Sequence, residues 1–299
     1  MGSFAPYIGP GVTRDSLDIV DAQIHLSPHM HLGEVLAAMD VLGIQGAVID
    51  EFWGMNDQMQ ALPCAVLPGG GYRPLSPLAQ AAALLHPQRF SYFQRVDRHD
   101  PELAAVFAML GAAPGARAVR LEVREPAERK AMAEGGYAGL LELAQEYALP
   151  VCVHGRDTGA MLRAAVARHP QVRFVLDHCG WPRSAQQWNE VLALGANRNV
   201  WLKWSHAHRA FASGPYPFAG LHAELARAID AFGIERVVWA SDFTHERSGC
   251  TWSDLLHYCR DAAALSGGDR EWLLGKGART LFRWEAPALK NDSIPAHNP

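Results

Sequence analysis

The sequence is poor in cysteine and shows no ordered cysteine pattern. Its 299 residues include five cysteines, an odd number, which are scattered and never form a Cys-x-x-Cys pair. This distribution excludes the dense disulfide framework that is typical of small secreted proteins. We therefore expect a protein of the reducing cytoplasm.

Long apolar runs and basic clusters are also absent from the sequence. No segment approaches 18 uninterrupted apolar residues, and the N-terminus lacks the basic start and apolar core of a signal peptide. The formal net charge is −4, and no basic run of the kind that binds nucleic acid is present. We expect a small-molecule substrate and no membrane or nucleic-acid partner, and no pattern identifies an oligomer interface.

Nucleotide-binding loops are missing as well, because no Gly-x-Gly-x-x-Gly motif follows the first strand candidate and no phosphate loop occurs. What the sequence does contain is an alternation of apolar, strand-like runs with stretches of helical periodicity. The strand candidates are 17–24, 46–50, 90–96, 116–123, 150–155, 172–180, 200–205 and 236–243. The helix candidates that follow them are 32–43, 76–86, 101–111, 135–147, 158–168, 184–194, 218–231 and 251–264.

This alternation of strand and helix favours one fold. Eight consecutive βα units predict a single-domain (β/α)8 TIM barrel rather than an open doubly wound sheet. We expect the barrel to span residues 18–284, after an N-terminal extension at 1–17 and before a C-terminal tail at 285–299. The longest irregular segment, 51–76, follows the second strand and would lie on the C-terminal face of the barrel, where it either covers a site or is an ordinary surface excursion.

Polar residues cluster where the predicted strands end. Asp21, Gln23 and His25 occupy alternate positions of the first strand, so their side chains are predicted to point to the same side. The ends of later strands carry Arg120, Glu122, His154, Asp177, His178 and Asp242. Because the strand ends of a barrel surround one mouth, these groups should converge there. Imidazoles and carboxylates are natural ligands of a divalent metal and equally natural proton carriers of a hydrolase.

The ordered motifs of the chain resemble the amidohydrolase superfamily. These motifs are DAQIH at strand one, AVRLEV at strand four, VHGRD at strand five, LDHCGWP at strand six, VWLKWSHAHR at strand seven, RVVWASDFTH at strand eight and ARTLFRW near the end. They span residues 18–284 and are most similar to the branch that contains the 2-pyrone-4,6-dicarboxylate lactonases. The resemblance implies a hydrolase that opens a small, carboxylated lactone.

The resemblance also implies catalytic roles for individual residues. Asp242 would be the general base that activates water, because the superfamily uses this carboxylate of strand eight to take the proton of the water. His25, His154 and His178 would polarise the lactone carbonyl, with Gln23 as a neutral donor beside them. Such donors supply, in the absence of a metal, the charge stabilisation that a Lewis acid would otherwise give.

Gln23 departs from the family pattern, which usually has histidine at this position of the first strand. A neutral amide oxygen is a poor zinc ligand beside imidazole. Lactonases and a lactone isomerase of this branch work without a metal, and a glutamine at this position resembles the isomerase. We therefore favour a reaction with no obligatory cofactor. The alternative is a divalent metal, zinc or manganese, held by His25, His154, His178 and Asp242.

Basic residues near the strand ends suggest how a carboxylated substrate is held. Arg120 and Arg209 match substrate-clamping positions of the similar lactonases, and a guanidinium can bind a carboxylate with two hydrogen bonds. Arg124, just beyond the fourth strand, is a weaker candidate of the same kind. His245 matches the histidine of the Asp-Trp-Pro-His run of the family and, like Gln23, is expected to contact substrate.

Two further histidine pairs and two further functions remain open. His29 with His31, and His206 with His208, have the His-x-His spacing that can grip a metal, although most loop histidines are merely solvated. A metal-dependent non-oxidative decarboxylase or a lactone isomerase could use the same scaffold. A catalytically inactive barrel that only binds a ligand is a third alternative, which the retained histidines and Asp242 disfavour.

Overall fold

The computed structural model describes residues 17–57, 60–246 and 248–286. Eight parallel strands are hydrogen-bonded in chain order, and a hydrogen bond from Asp242 N to Gln23 O joins the end of the last strand to the first. The strands are β1 Ile19–Ile24, β2 Ile44–Asp50, β3 Phe90–Arg95, β4 Ala116–Val123, β5 Val151–Gly155, β6 Phe174–Leu176, β7 Val200–Trp204 and β8 Val237–Trp239. The predicted (β/α)8 TIM barrel is confirmed.

Helices follow the strands, and all but the last of the long series pack around the outside of the barrel. The helices are α1 Leu32–Leu42, α2 Pro77–Leu85, α3 Leu103–Ala112, α4 Pro126–Glu134, α5 Ala138–Glu146, α6 Thr158–Arg168, α7 Ala185–Ala193, α8 Ala207–Ala210, α9 Leu221–Phe232, α10 Trp252–Arg260, α11 Gly267–Glu271 and α12 Gly277–Phe282. In the described ranges, no helix combines the length and apolarity that crossing a bilayer requires. The sequence did not predict α4, because its charged residues give a low mean hydropathy.

Strand alternation separates the apolar residues into two clusters. Ile19 and the strand residues that point outward, as it does, pack against the helices in a large outer cluster. Val20 and the strand residues that point inward face the lumen. The inner cluster includes Phe93 of β3 and Phe282 of α12, whose ring centroids are 5.2 Å apart. The C-terminal helix thus packs on the lumen residues of the strands, and the polar residues gather at the carboxyl ends of the strands.

The segment after β2 packs against the loop that follows β3. It forms two short antiparallel pairs, Gly54–Met55 with Ala61–Leu62 and Cys64–Val66 with Tyr72–Pro74. Arg73 binds both carboxylate oxygens of Asp100 at 2.7 Å, which anchors the second pair to the β3 loop. The open question about residues 51–76 is therefore answered in part: most of the segment is a packed surface excursion, and its first residues approach the strand ends.

The limits of the predicted elements differ from the structure mainly at the site. β6 ends at Leu176 and β8 at Trp239, several residues before the predicted ends. The N-terminal extension is described only at Leu17. Of the expected C-terminal tail, residues 287–299 lie outside the described residues.

Candidate active site

Three residues beyond the ends of β6, β7 and β8 share an unusual backbone conformation. His178, His206 and Asp242 have φ angles of 53°, 48° and 49°, in the left-handed region. For a residue with a Cβ atom, this conformation costs about 1–2 kcal/mol of free energy. Such strain persists where the surrounding structure fixes it, and it concentrates at functional sites. The strained turns bring these three side chains together at the mouth of the barrel.

The Asp242 carboxylate is buried among three imidazoles. Its Oδ1 lies 2.7 Å from His25 Nε2, and its Oδ2 lies 2.9 Å from His206 Nε2 and 3.5 Å from His178 Nε2. Burial alone would raise the pKa of Asp242, but His25, His206 and His178 together hold this pKa well below its usual range. Asp242 is therefore ionised at neutral pH.

The two histidines on Oδ2 of Asp242 differ in their tendency to be protonated. Burial lowers the pKa of His178 well below its usual value, and its Nδ1 lies 2.8 Å from Ser205 Oγ. Burial also lowers the pKa of His206, but the Asp242 and Glu246 carboxylates outweigh this effect and the pKa is raised. The site thus pairs a neutral imidazole with one that favours the charged form.

Gln23 is held by a buried lysine that was not among the site residues predicted from the sequence. Lys203 Nζ donates to Gln23 Oε1 at 2.8 Å and lies 2.7 Å from Asp177 Oδ1. Gln23 Nε2 in turn lies 3.3 Å from His25 Nε2. Lys203 is fully buried within the apolar run VWLKW. Because side chains alternate along a strand, a lysine at a position of this run that faces the lumen is the sequence signal that could have identified it.

Asp21 does not share the orientation of Gln23 and His25, so that part of the predicted polar face is wrong. Asp21 accepts hydrogen bonds from Trp252 Nε1 at 2.7 Å, Ser241 N at 2.9 Å and the Ser241 hydroxyl. The pairing of β1 with β2 changes register between Asp21 and Ile24, which breaks the strand alternation. Asp21 therefore anchors β8 and α10 from behind the site.

Arg120 belongs to a buried ion-pair network, and its Nη2 lies 3.4 Å from His178 Nε2. Its Nε donates to Asp177 at 2.6 Å, its Nη1 donates to Asp50, and the side chain is almost fully buried. Arg95 binds both oxygens of the same Asp50 carboxylate at 2.9 and 2.8 Å. That Arg120 clamps a substrate carboxylate stays a prediction, which its burial disfavours because its ion-pair partners are already carboxylates of the protein.

His154 lies beside the Asp242 group with other partners. Its Nδ1 is 3.1 Å from Glu122 Oε1, and its Nε2 accepts a hydrogen bond from Trp181 Nε1 at 3.1 Å. Its ring centroid is 5.0 Å from that of His178. His154 thus adjoins the site through ring contact with His178, and both of its ring nitrogens are already engaged.

Two of the residues expected to contact substrate lie at the entrance. The His245 ring is 4.2 Å from that of His25 and stacks on Phe52 at 5.2 Å, and burial lowers its pKa to about 4. Arg209 is exposed and lies over the Trp181 ring at 5.6 Å. Arg209 is therefore a cation at this end of the barrel that a substrate can reach.

The two His-x-His pairs differ in burial. His29 and His31 are exposed next to the start of α1. His206 and His208 are almost fully buried, and His208 Nε2 lies 2.8 Å from Glu246 Oε2. Glu246, four residues after Asp242, was not among the predicted site residues.

The donor set at Asp242 fits a divalent metal in number and type. His178, His206 and Asp242 each place one ligand atom within 4.8 Å of the others. Catalytic zinc sites use three protein ligands of this kind and leave a fourth position for water. This set differs from the one expected from the sequence, because His206 takes part whereas His25 and His154 are not in the group.

The chain is a TIM barrel, and imidazoles surround one carboxylate at the carboxyl ends of its strands. This arrangement is typical of the enzymes built on this fold. The sequence pattern of the family described as Amidohydrolase matches residues 22–284. The chain therefore belongs to the amidohydrolase family, and the resemblance noted in the sequence is confirmed. No curated protein shows significant similarity to it.

Solved structures with the same fold include hydrolases and decarboxylases. A proposed 2-pyrone-4,6-dicarboxylic acid hydrolase from Pseudomonas putida has 22% identity and a TM-score of 0.69, over 90% of this chain and 98% of that one. An amidohydrolase from Burkholderia multivorans with bound zinc has 16% identity and a TM-score of 0.70, over 90% and 100%. A dihydroxybenzoic acid decarboxylase from a Polaromonas species, with bound manganese, has 14% identity and a TM-score of 0.62, over 89% and 97%. At these identities the likeness concerns the fold alone.

Proposed function

We propose that the protein is a hydrolase that opens a small, carboxylated lactone at Asp242. The observation that carries this proposal is the ionised, buried Asp242 carboxylate with one imidazole nitrogen at 2.7 Å and another at 2.9 Å. An ionised carboxylate at the mouth of the barrel can accept a proton from water, and the imidazoles can stabilise the charge that develops on the carbonyl oxygen. The similarity to a proposed pyrone dicarboxylate hydrolase supports the same class of substrate.

The proposed reaction has one base and one acid. Asp242 takes a proton from the water that attacks the lactone carbonyl, while His25 and His206 stabilise the oxyanion. The low pKa of Asp242 makes it a weak base on its own. His178, which is neutral and 3.5 Å away, therefore relays this proton to the ring oxygen as the carbon–oxygen bond breaks. The products are a carboxylic acid and a hydroxyl group.

Cations near the entrance fit the carboxylate groups of the substrate. Arg209 is exposed above Trp181, whose indole also contacts His154. Arg124 extends beyond β4, where its Nε lies 2.5 Å from Glu122 and a third of the side chain is exposed. We assign carboxylate binding to Arg209 first, because its guanidinium has no carboxylate partner within ion-pair distance among the described residues. Gln23 and His245 complete the side of the pocket near His25.

We further propose that no metal is obligatory for this reaction. Lys203 donates a hydrogen bond to the amide oxygen of Gln23. The side chain at the position where the family usually has its first histidine ligand therefore binds an ammonium group of the protein. If a divalent metal does bind, His178, His206 and Asp242 would hold it, and it would polarise the carbonyl and lower the pKa of a bound water.

A decarboxylase is the second candidate function. The close grouping of His178, His206 and Asp242 favours it, since the manganese-containing decarboxylase shares the fold. A lactone isomerase would use the same residues for proton transfer.

Three measurements on one protein preparation separate the candidate functions. The first is the metal content of protein purified without added metal, the second is the rate of ring opening on a panel of carboxylated lactones, and the third is CO2 release from dihydroxybenzoates. Lactone hydrolysis that survives chelation supports the proposal. CO2 release that requires a stoichiometric metal, without any lactone hydrolysis, would refute it in favour of the decarboxylase.

A further inference from the structure

We propose that His206, His208 and Glu246 form a second site, which binds a divalent transition metal of the zinc class. The two histidines follow β7 with one residue between them, and Glu246 lies in the loop after β8. Because β7 and β8 are neighbours in the barrel, their loops meet at the same side of the mouth. Two imidazoles and one carboxylate are the ligand types that zinc prefers.

The distances among the three side chains suit tetrahedral coordination. His206 Nδ1 lies 3.4 Å from Glu246 Oε2, and His208 Nε2 lies 2.8 Å from the same oxygen. One ligand atom from each residue falls within 4.8 Å of the others. Zinc bonds of about 2.0–2.1 Å place the ligand atoms of a tetrahedron about 3.3 Å apart. The distance from His206 Nδ1 to Glu246 Oε2 matches this spacing, and the distance from His208 Nε2 to the same oxygen is shorter than it.

The surroundings of the site favour a bound ion over a solvated cluster. The side chains of His206, His208 and Glu246 are 3%, 4% and 2% exposed. His206 Nδ1 is buried and makes no hydrogen bond of good geometry, since Glu246 Oε2 lies 3.4 Å away. A metal on this nitrogen would replace this long contact with a direct bond. Trp181 stacks on the His206 ring and Phe218 on the His208 ring, with centroids 5.6 and 5.4 Å apart, so aromatic walls limit access of water.

The second site is joined to Asp242 through one imidazole. His206 offers Nδ1 to the second site and Nε2 to Asp242, at 2.9 Å. A metal on Nδ1 would fix the proton of the neutral ring on Nε2, from which it is donated to the carboxylate. The ion would thereby position His206 against Asp242. Binding at the second site does not depend on the proposed lactone hydrolysis, and it is measured without substrate.

Zinc titration of the chelator-treated protein tests the second site. Calorimetry with Zn²⁺ is carried out on the parent and on His208→Gln, Glu246→Gln and His178→Asn, and each fold is checked by circular dichroism. His178→Asn is the matched control, because His178 belongs only to the group at Asp242. We expect His208→Gln and Glu246→Gln each to lose one bound zinc, or to weaken its Kd by about 100-fold or more, since even residues beyond the ligands cost 10–100-fold. His178→Asn should retain that ion.

Cobalt absorption gives a second readout. Co²⁺ bound to the parent and to His178→Asn should show the visible bands of tetrahedral coordination, and these bands should be missing from Glu246→Gln. Glu246→Gln decides the question alone if His208→Gln does not fold.

Two results would overturn the second site. One is zinc binding by His208→Gln and Glu246→Gln that equals that of the parent. The other is loss of the same ion in His178→Asn, which would place it at Asp242. Zinc binding as expected in a protein that hydrolyses no lactone would leave the second site in place and contradict only the proposed function.

Discussion

Lys203 Nζ donates to Gln23 Oε1 at 2.8 Å across the lumen of the barrel. This single hydrogen bond accounts for a glutamine at the strand-one position that is usually histidine in the family. An amide oxygen accepts from an ammonium without competing for its proton, whereas an imidazole in the same place would be another base near His25. Lys203 also neutralises Asp177, so the pair links the site to the buried ion-pair network.

Removing the ammonium of Lys203 should strongly destabilise the fold. Lys203→Met keeps the length of the side chain but leaves Asp177 and the Gln23 oxygen without this donor in a fully buried place. Breaking a buried ion pair from one side costs about 3–5 kcal/mol. Urea unfolding measures the change, and Lys130→Met is the control, because Lys130 is 68% exposed and should change the stability by less than about 0.5 kcal/mol. Equal unfolding midpoints for the two variants would contradict the structural role of Lys203.

Replacing the carboxylate of Asp242 should abolish turnover while the fold is retained. Asp242→Asn preserves shape but removes the proton acceptor, and loss of a general base commonly lowers kcat by about 10²–10⁴. The rate is measured on the best carboxylated lactone found by screening, and Asp261→Asn, on the surface, is the control that should retain the parental rate. Hydrolysis by Asp242→Asn at a rate near that of the parent would show that Asp242 is not the base.

The barrel could be predicted because the sequence patterns that indicate its strands and helices are local and repeated. Apolar strands and amphipathic helices alternate eight times, and this alternation, together with the short connections, defines the topology. The sequence also placed Asp242, His25 and His178 at strand ends that meet at one mouth, as the structure has them. Such positions follow from the chain order of the strands and need no knowledge of side-chain contacts.

What the sequence did not predict depends on contacts between distant residues. The burial of Arg120 follows from its pairing with Asp50 and Asp177, which no local pattern encodes. The different orientation of Asp21 follows from the register shift in β1, since one irregular residue reverses the strand alternation. Glu246 joins the histidines only because the loops after β7 and β8 are adjacent in space.

Arg209 should contribute mainly to substrate binding. Arg209→Lys keeps the charge but loses the planar fork that binds a carboxylate with two hydrogen bonds. Loss of one hydrogen bond to a charged group, about 1.5 kcal/mol, raises KM by about tenfold with little change in kcat. Steady-state kinetics on a carboxylated lactone measure the effect, and Arg163→Lys, on the exposed face of α6, is the control. An unchanged KM in Arg209→Lys would mean that this guanidinium only faces solvent.

The pKa of Asp21 predicts how the stability difference between parent and Asp21→Asn varies with pH. Burial raises the pKa of Asp21 from 3.8 to about 6, in spite of hydrogen bonds from Ser241, Gln23 and Trp252. Between these two values the folded state binds more protons than the unfolded state, so this carboxyl lowers the free energy of unfolding as pH rises, by about 3 kcal/mol in total. Asn cannot ionise, so the variant lacks this loss.

Relative to the parent, Asp21→Asn should therefore gain stability as pH rises from about 4 to about 7, whatever its absolute stability. Urea unfolding of both proteins at several pH values measures the difference, which cancels the opposite trend of carboxyls such as Asp50 and Asp177, whose pKa values are lowered. Asp261→Asn, whose side chain is 59% exposed, should show no such trend. A difference between parent and Asp21→Asn that stays constant with pH would mean that Asp21 remains ionised throughout, because its hydrogen-bond donors outweigh the effect of burial.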